Sequence, residues 1–321
     1  MNTHDNIHSL VVVTAIYEDV EASSKLFKEL EKLFRLKIYV VAIDDGSVRQ
    51  PLDVTNIRNI GLGGVIIKLK SNVGHQRAIA IGLSYVADHL PDAERVVVMD
   101  SDGEDMPETI KTLIDKLDQP NIDVVVAQRK SRVETLRFRA FYVAYKWLFQ
   151  LLSGHKINFG NFMALKPNAV RRMVAMHELW MHVAGCVLKS KMRIATCSID
   201  RGPRYAGHSK MNFVGLVLHG FKGLMVFAED VLVRVGISCA FIAVFSVIAF
   251  LAAFILKIFG FATPGWFSIA LGILVIVFLQ ALALTLMTLM LSGVAKNGSV
   301  YFADYRVFVD RVLYAKSESE S

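Results

Sequence analysis

Two long uncharged stretches place the strongest constraint on how this chain can fold. Residues 235–256 contain no charged side chain, and neither do residues 258–295, which Pro264 and Gly265 interrupt near their start. A helix that crosses a bilayer needs ~20 apolar residues. Residues 235–256 and 266–292 therefore predict two membrane spans. A buried helical hairpin of a soluble protein is the alternative interpretation.

The charges around these stretches predict their orientation. The turn between them offers only Lys257 at its edge, whereas basic residues flank both outer ends. Lysine and arginine are enriched on the cytoplasmic side of membrane spans, so we expect a multi-pass protein of the cytoplasmic membrane with both termini in the cytoplasm. Residues 1–9 are mostly polar, so we expect no secretory signal peptide. The flanking basic residues are Lys222, Arg234, Lys296, Arg306 and Arg311.

The net charge of the chain indicates what kind of molecule it is expected to bind. A formal net charge of +7 suits an anionic bilayer surface or an anionic substrate. Nucleic acid is not expected as a partner, because basic motifs interleaved with aromatic residues are missing. Small residues in the first stretch, among them Gly236, Ser238, Ala240 and Ala243, would allow it to pack against a neighbour in a homo-oligomer.

The first part of the chain alternates between strand-like and helix-like patterns. Apolar residues at helical spacing occur over 79–90 and 110–117. Strands that alternate with helices predict an α/β domain with a mostly parallel, doubly wound sheet. The predicted strands are residues 10–16, 37–43, 65–69, 95–99 and 122–127.

Carboxylates follow two of these predicted strands. Asp44 and Asp45 end the run 38–43, and Asp100 and Asp102 end the run 96–99. Open α/β sheets bind ligands in the crevice at the carboxyl ends of their strands, and paired carboxylates suit Mg²⁺ or Mn²⁺. The histidines, His75 among them, show no metal-ligand spacing, and we interpret them as structural or surface residues.

Beyond residue 128 the chain becomes basic and then aromatic. Residues 129–139 contain several basic side chains and only one acid, Glu134, and a helical pattern rich in aromatic residues follows over 141–152. Residues 201–210 are again basic. Residues 213–227 are apolar but interrupted by His219 and Lys222, which predicts a helix lying in the headgroup region. A core helix of the soluble domain is the alternative.

The order of these motifs resembles that of the family 2 glycosyltransferases with the GT-A fold. The resemblance is strongest to membrane-anchored polyprenyl-phosphate glycosyltransferases, such as bactoprenol glucosyltransferases and dolichol-phosphate mannose synthases. It rests on residues 44–47 (Asp-Asp-Gly-Ser), 72–78 (Asn-Val-Gly-His-Gln-Arg-Ala), 100–108 (Asp-Ser-Asp-Gly-Glu-Asp-Met-Pro-Glu), Arg129 and 204–210 (Arg-Tyr-Ala-Gly-His-Ser-Lys).

The resemblance implies a division into four parts. A Rossmann-like GT-A catalytic domain with a mostly parallel sheet would cover residues 1–210, and a juxtamembrane amphipathic helix would cover 211–230. A transmembrane hairpin would follow over 231–295, and a cytoplasmic tail over 296–321.

The resemblance also implies roles for individual residues. Asp102, Arg129 and Arg139 would act in catalysis, and Asp44, Asp45, Asn72 and Asp100 would bind the nucleotide. Asp100, Asp102 and Glu104 would hold Mg²⁺ or Mn²⁺. A lipid phosphate carries a charge of about −1.5 to −2 and needs guanidinium groups to approach a second anion. The expected acceptor-phosphate residues are Arg129, Arg132, Arg137, Arg139, Arg204, Ser209 and Lys210.

The expected function is that of an inverting, metal-dependent glycosyltransferase. It would move a sugar from a nucleotide-sugar donor, in the first place a UDP-sugar, to a polyprenyl phosphate. Departures from the family pattern at Ile16, Met106 and Asn161 leave the sugar open. One alternative is a processive polysaccharide synthase, although the Gln-x-x-Arg-Trp motif of that class is absent and two spans are few for a polymer channel. The other is a non-catalytic, membrane-anchored protein that binds nucleotide-sugars.

Overall fold

A sheet of eight strands forms the centre of the computed structural model, which describes residues 9–129, 136–156, 158–206, 213–261, 263, 265–297 and 304–315. The strand order is β7-β5-β6-β4-β1-β2-β3-β8. β1, β2, β3 and β4 run parallel to one another, as do β5 and β7, whereas β6 and β8 run antiparallel to their neighbours. The strands are β1 (Leu10–Ile16), β2 (Ile38–Asp44), β3 (Gly63–Leu69), β4 (Val96–Val98), β5 (Val124–Arg129), β6 (Met163–Leu165), β7 (Ile194–Ile199) and β8 (Val309–Ala315).

Helices cover both faces of this sheet. The helices of the described chain, those outside the sheet unit included, are α1 (Val20–Phe34), α2 (Thr55–Arg58), α3 (His75–His89), α4 (Ile110–Leu117), α5 (Leu136–Ser153), α6 (Pro167–Val174), α7 (Val183–Lys189), α8 (Phe213–Met225), α9 (Ala228–Ile258) and α10 (Trp266–Asn297). Val11 and Val13 of β1 pack in the same cluster as α3, whereas Val12 packs in the cluster that contains Phe27 of α1. Successive strand residues point to opposite faces, so burial on both faces explains the continuous apolar runs of these strands.

The predicted fold class is confirmed, and the predicted strands fall within a few residues of those observed. The sheet also contains three strands that the sequence analysis did not predict, β6, β7 and β8. We expected residues 296–321 to form a tail, but β8 pairs antiparallel with β3, with Leu313 opposite Ile66 and Arg311 opposite Lys68. β8 contains adjacent charged residues at Asp310 and Arg311, which is why its sequence has no apolar strand signal.

The chain divides into two compact units. One contains residues 1–140, 157–226 and 302–321, and the other contains 141–156 and 227–301. The sheet and α8 therefore belong to the first unit, and most of α5 belongs to the second unit with α9 and α10.

The second unit contains two helices that are long and apolar enough to cross a membrane. They are Ala228–Ile258, with mean hydropathy 2.9, and Trp266–Leu291, with mean hydropathy 2.7. Only 17% of the most apolar window of the first helix and 6% of that of the second are buried, unlike a helix in a soluble core. The two helices meet through small residues, because a Cβ atom at Gly236 would lie 2.7 Å from Thr288 Oγ1.

Candidate active site

Acidic residues gather at the carboxyl ends of β2 and β4, which both lie next to β1. Asp44 ends β2, and its carboxylate is almost fully buried. Its Oδ1 accepts a hydrogen bond from Ser47 N at 3.0 Å, and its Oδ2 accepts one from Leu52 N at 3.0 Å. Asp44 therefore shapes the loop that follows β2, and its expected contact with the nucleotide stays a prediction.

Asp45 connects the same loop to the start of α3. Its Oδ1 accepts a hydrogen bond from Val73 N at 2.7 Å, and its Oδ2 accepts one from Gly74 N at 3.0 Å. Burial raises the pKa of Asp45, although these two hydrogen bonds act in the opposite direction. Asn72, the other residue expected to meet the nucleotide here, is exposed beside this contact. The backbone N–H groups just before α3 are thus bonded to the Asp45 carboxylate, and a helix N-terminus favours such an anion.

His75, in the first turn of α3, brings a third chemical group to this edge. Its Nε2 lies 3.0 Å from Asp100 Oδ1. Burial alone would lower the pKa of His75, but the carboxylate of Asp100, followed by those of Asp45 and Asp105, outweighs burial and raises the pKa. The sequence analysis assigned His75 to a structural or surface role, because its partner Asp100 lies in the loop after β4, distant along the chain.

Asp102 and Glu104 are bound by two arginines that follow β7. Arg204 Nη2 lies 3.0 Å from Asp102 Oδ2, and its Nε lies 3.0 Å from Glu104 Oε1. Arg201 contacts the other oxygen of the Glu104 carboxylate. Burial lowers the pKa of Arg201, while the neighbouring carboxylate of Asp102 raises it. Arg204 was expected to bind a phosphate, but in the structure it pairs with Asp102 and Glu104. Arg201 was not expected at the site.

The described residues at this edge of the sheet offer two carboxylates to a divalent cation, but not a complete set of protein ligands. The carboxylates of Asp100 and Asp102 follow β4 on one loop, and carboxylate oxygens are the ligands that Mg²⁺ and Mn²⁺ prefer. Among the described residues, no three His, Cys, Asp or Glu side chains converge as a metal-binding group. Mg²⁺ is commonly held by one or two carboxylates together with substrate phosphates, so two carboxylates fit such an ion. Glu104 would first have to leave Arg201 and Arg204.

The structure describes some of the remaining predicted site residues and not others. Arg129 ends β5, where its backbone lies opposite Ile199 of β7. Arg137 and Arg139 lie in the first turn of α5. Arg132, Ser209 and Lys210 lie outside the described residues.

Glu18, just after β1, was not identified from the sequence. Its Oε1 accepts a hydrogen bond from Val48 N at 2.7 Å, and its Oε2 accepts one from Gln50 N at 2.8 Å. Arg49 N also donates to this carboxylate, at 3.0 and 3.1 Å. Three successive backbone N–H groups of the loop after β2 therefore surround one side chain. The signal in the sequence is weak, because the partner loop lies about thirty residues away along the chain.

A small recess adjoins the acidic motif. Its walls come from the loop after β4, from the ends of β5 and β7, and from the turn before β6. They combine carboxylates and a guanidinium group with apolar side chains. The residues that line it are Glu104, Asp105, Ala127, Gly160, Phe162, Ile199, Asp200 and Arg201.

Comparison with known proteins identifies the family. The family model for "Glycosyl transferase family 2" matches residues 11–180, which is more than half of the chain. The chain belongs to this family. It is accordingly a glycosyltransferase, and the matched region contains β1 to β6 with both acidic motifs.

Family 2 relatives resemble this chain beyond that region. It is 27% identical over 292 residues to the uncharacterized glycosyltransferase sll0501 of Synechocystis sp., covering 86% of this chain and 87% of the relative. It is 26% identical over 249 residues to the uncharacterized glycosyltransferase YkoT of Bacillus subtilis, covering 76% and 72%. It is also 26% identical over 225 residues to an undecaprenyl-phosphate 4-deoxy-4-formamido-L-arabinose transferase of an Enterobacter species, covering 68% and 67%.

Solved structures agree on the fold of this family 2 domain. Glucosyl-3-phosphoglycerate synthase from Mycobacterium tuberculosis, crystallised with Mn²⁺, UDP-glucose and phosphoglyceric acid, superposes with a TM-score of 0.52. The match covers 70% of this chain and 80% of that protein at 14% identity. At that identity the likeness shows the fold alone, which is the expected GT-A fold.

Proposed function

We propose that this family 2 glycosyltransferase moves a sugar from a nucleotide-sugar, in the first place a UDP-sugar, to a polyprenyl phosphate at the cytoplasmic face of a membrane. One observation carries the proposal: a single chain joins the acidic crevice of a family 2 domain to two exposed apolar helices. The similarity to an undecaprenyl-phosphate transferase supports this choice of acceptor.

The acidic edge is proposed to receive the donor. Asp44 and Asp45, in the loop after β2, and Asn72, in the loop after β3, would meet the base and ribose. Asp100 and Asp102, with Glu104, would hold Mg²⁺ or Mn²⁺, which would neutralise charge on the departing diphosphate. The positive end of the α3 dipole would add favourable potential for the same diphosphate.

The basic residues are proposed to receive the acceptor. A lipid phosphate is already a nucleophile and hardly needs a general base. Its oxygen would attack the anomeric carbon opposite the departing diphosphate, and this single displacement inverts the configuration. Guanidinium groups would offset the repulsion between two anions and aim the attacking oxygen. Arg129 and Arg139 are proposed to act in catalysis together with Asp102. The candidates for binding the acceptor phosphate are Arg129, Arg132, Arg137, Arg139, Arg204, Ser209 and Lys210.

The apolar segments are proposed to anchor this reaction at the bilayer. α9 and α10 would span the membrane with both termini in the cytoplasm, and α8 would lie in the headgroup region. On α8, Leu218, Phe221 and Met225 are exposed and share one helical face, which fits an interfacial helix.

A donor panel tests the proposed reaction. Purified full-length protein is incubated with Mn²⁺, undecaprenyl phosphate and UDP-, GDP- or dTDP-sugars, and release of nucleoside diphosphate is measured. We expect release with one donor class that requires both the lipid and the metal. Release without lipid would point to a polysaccharide or protein acceptor. Donor binding without any release would favour a non-catalytic protein and would contradict the proposal.

A further inference from the structure

The segment that follows β7 runs beside residues 102–104, which belong to the acidic loop after β4. Two backbone hydrogen bonds join the two segments. Gly202 N donates a hydrogen bond to Glu104 O at 3.0 Å, and Tyr205 N donates one to Asp102 O at 2.8 Å. Residues 201–205, which we name the clasp, therefore align their backbone with residues 102–104. This alignment brings Arg201 and Arg204 onto the carboxylates of the loop.

Two glycines make this close approach possible. A Cβ atom on Gly103 would lie 2.6 Å from the ring of Tyr205, and Gly103 also has a φ of +90° that favours glycine. A Cβ atom on Gly202 would lie 2.7 Å from the carbonyl oxygen of Gly103. Any side chain at either position would push the two segments apart. The close approach therefore depends on one glycine in each segment.

Tyr205 fixes the carboxyl end of the clasp to a third element, helix α1. Its ring covers Gly103, and its hydroxyl contacts the carboxylate of Glu29 in α1. Lys25, also in α1, donates from Nζ to Tyr205 O at 3.1 Å. Burial, together with the Glu29 carboxylate, raises the pKa of Tyr205, so the phenol stays protonated and keeps its donor for Glu29.

We propose that Tyr205 is a positioning residue that holds the clasp on the acidic loop. It keeps Arg204 at Asp102. Since Asp102 is proposed to face the donor, Tyr205 fixes the charged partner that this aspartate meets there. This inference rests on the proposed function for its kinetic consequence, but the placement of the clasp can be measured without any turnover.

Three variants separate the parts of this contact. Tyr205→Ala removes the ring, Tyr205→Phe keeps the ring and removes only the hydroxyl, and Gly202→Ala forces the segments apart without touching a charged group. Tyr314→Ala is the matched control, because it removes an exposed tyrosine ring from β8 at the far edge of the sheet. Full-length proteins in detergent are compared by amide hydrogen exchange over residues 201–206, by thermal unfolding, and by kcat and KM.

We expect Tyr205→Ala and Gly202→Ala to lose exchange protection at residues 202 and 205. Because misplacement by ~1 Å can cost about 100-fold in rate, we expect their kcat to fall about 10- to 100-fold while the KM for the donor changes little. Tyr205→Phe keeps the ring on Gly103 but loses the contact with Glu29, so it should show a smaller loss of protection and activity than Tyr205→Ala. Tyr314→Ala should match the wild type in both.

The outcomes distinguish a positioning role from a structural one. A lower Tm with unchanged kcat per folded molecule would mean that Tyr205 only stabilises the domain, and it would overturn the inference. Unchanged exchange in Tyr205→Ala would overturn it as well. If the wild type shows no turnover with any donor, the proposed function fails, and the exchange data alone decide whether Tyr205 holds the clasp.

Discussion

At the scale of single residues, the four aspartates that end β2 and β4 differ in what their carboxylates meet. Asp44 and Asp45 accept hydrogen bonds from backbone N–H groups of neighbouring loops. Asp100 meets the side chain of His75, and Asp102 meets the side chain of Arg204 with one oxygen and the backbone N–H of Glu104 with the other. A cation can replace a side-chain partner by a rotamer change, whereas releasing a backbone partner requires the loop to rearrange. We therefore propose that Asp100 and Asp102 are the aspartates that meet the metal ion.

Replacing Asp102 by asparagine tests this assignment. Asp102→Asn keeps the size of the side chain and removes the charge that a cation or Arg204 would meet. We expect transferase activity to fall about 100-fold or more, since one preorganised electrostatic contact is commonly worth that much, while the protein stays folded and membrane-bound. Asp92→Asn, an exposed position before β4, is the control. Full metal-dependent activity in Asp102→Asn would remove Asp102 from the site.

Glu18 gives a prediction that depends on pH. Hydrogen bonds from the backbone N–H groups of Arg49 and Val48, in that order, lower the pKa of Glu18 below its usual 4.5. A lowered pKa means that the charged form stabilises the folded loop above the usual value, and that this contribution is lost as the pH falls through the folded-state pKa. Glu18→Gln should therefore lower the Tm at neutral pH, and the difference from the wild type should shrink towards about pH 4 and below.

Thermal unfolding between neutral and acid pH measures this difference. Glu21→Gln is the matched control, because Glu21 also has a lowered pKa but pairs only with Lys25 on the surface of α1, and exposed pairs contribute little. A Tm difference that is constant with pH would show that the Glu18 charge does not hold the loop.

The site residues that sequence reasoning missed share a physical cause. Glu18, His75 and Arg201 each act through a partner that is distant along the chain, as with Arg201 and Glu104. The aspartates were identified because they end apolar runs and carry a local pattern. A side chain whose role depends on tertiary contacts leaves no such pattern.

At the scale of elements, β1 to β5 were predicted, whereas the three-residue strand β6 was not, although it is also fully buried. β1 to β5 have continuous apolar runs, because helices cover both sides of them. β7 and β8 lie at the two ends of the sheet order and alternate between exposed and partly buried residues. Short edge strands carry little signal of their own, and tertiary pairing decides whether they form. The resemblance and the acidic motifs gave the fold class, but not the edges of the sheet.

Removing β8 should destabilise the sheet domain. β8 pairs with β3 over most of its length, and Lys70 Nζ donates to Val307 O at 2.9 Å just before it. Ladder hydrogen bonds contribute about 0.5–1.5 kcal/mol each, so truncation after residue 303 should lower the Tm by roughly 5–10 °C. The exposed edge of β3 should also promote aggregation.

A shorter truncation controls for the loss of β8. Ending the chain at Ala315 removes residues 316–321 and keeps every β8 pair, so this variant should match the wild type in Tm and in light scattering. Equal behaviour of the two truncations would show that β8 does not stabilise the domain.

At the scale of the whole molecule, the two apolar helices are inserted between elements of one folded unit. α8 precedes them and β8 follows them, and both belong to the unit that contains the sheet. A chain that leaves a folded domain, forms two spans and returns to the same domain must place both ends of the hairpin on one side of the membrane. This argument uses only connectivity, and it agrees with the distribution of basic residues in the sequence.

The connectivity therefore predicts the position of the turn between α9 and α10. A cysteine at Gly260, in a variant whose cysteines at 186, 197 and 239 are replaced, should react with a membrane-impermeant maleimide added outside intact cells. Gly260 has open space around it, although its φ of +77° favours glycine, so a cysteine at the neighbouring Phe261, which is exposed, serves as a second probe. A cysteine at Val48, which is exposed in the sheet unit, should react only after the cells are broken.

Labelling of Val48→Cys in intact cells, or protection of both turn positions there, would contradict two spans with the catalytic unit in the cytoplasm. The expected pattern would place the acidic crevice on the side where nucleotide-sugars are made available, because that unit contains both ends of the hairpin.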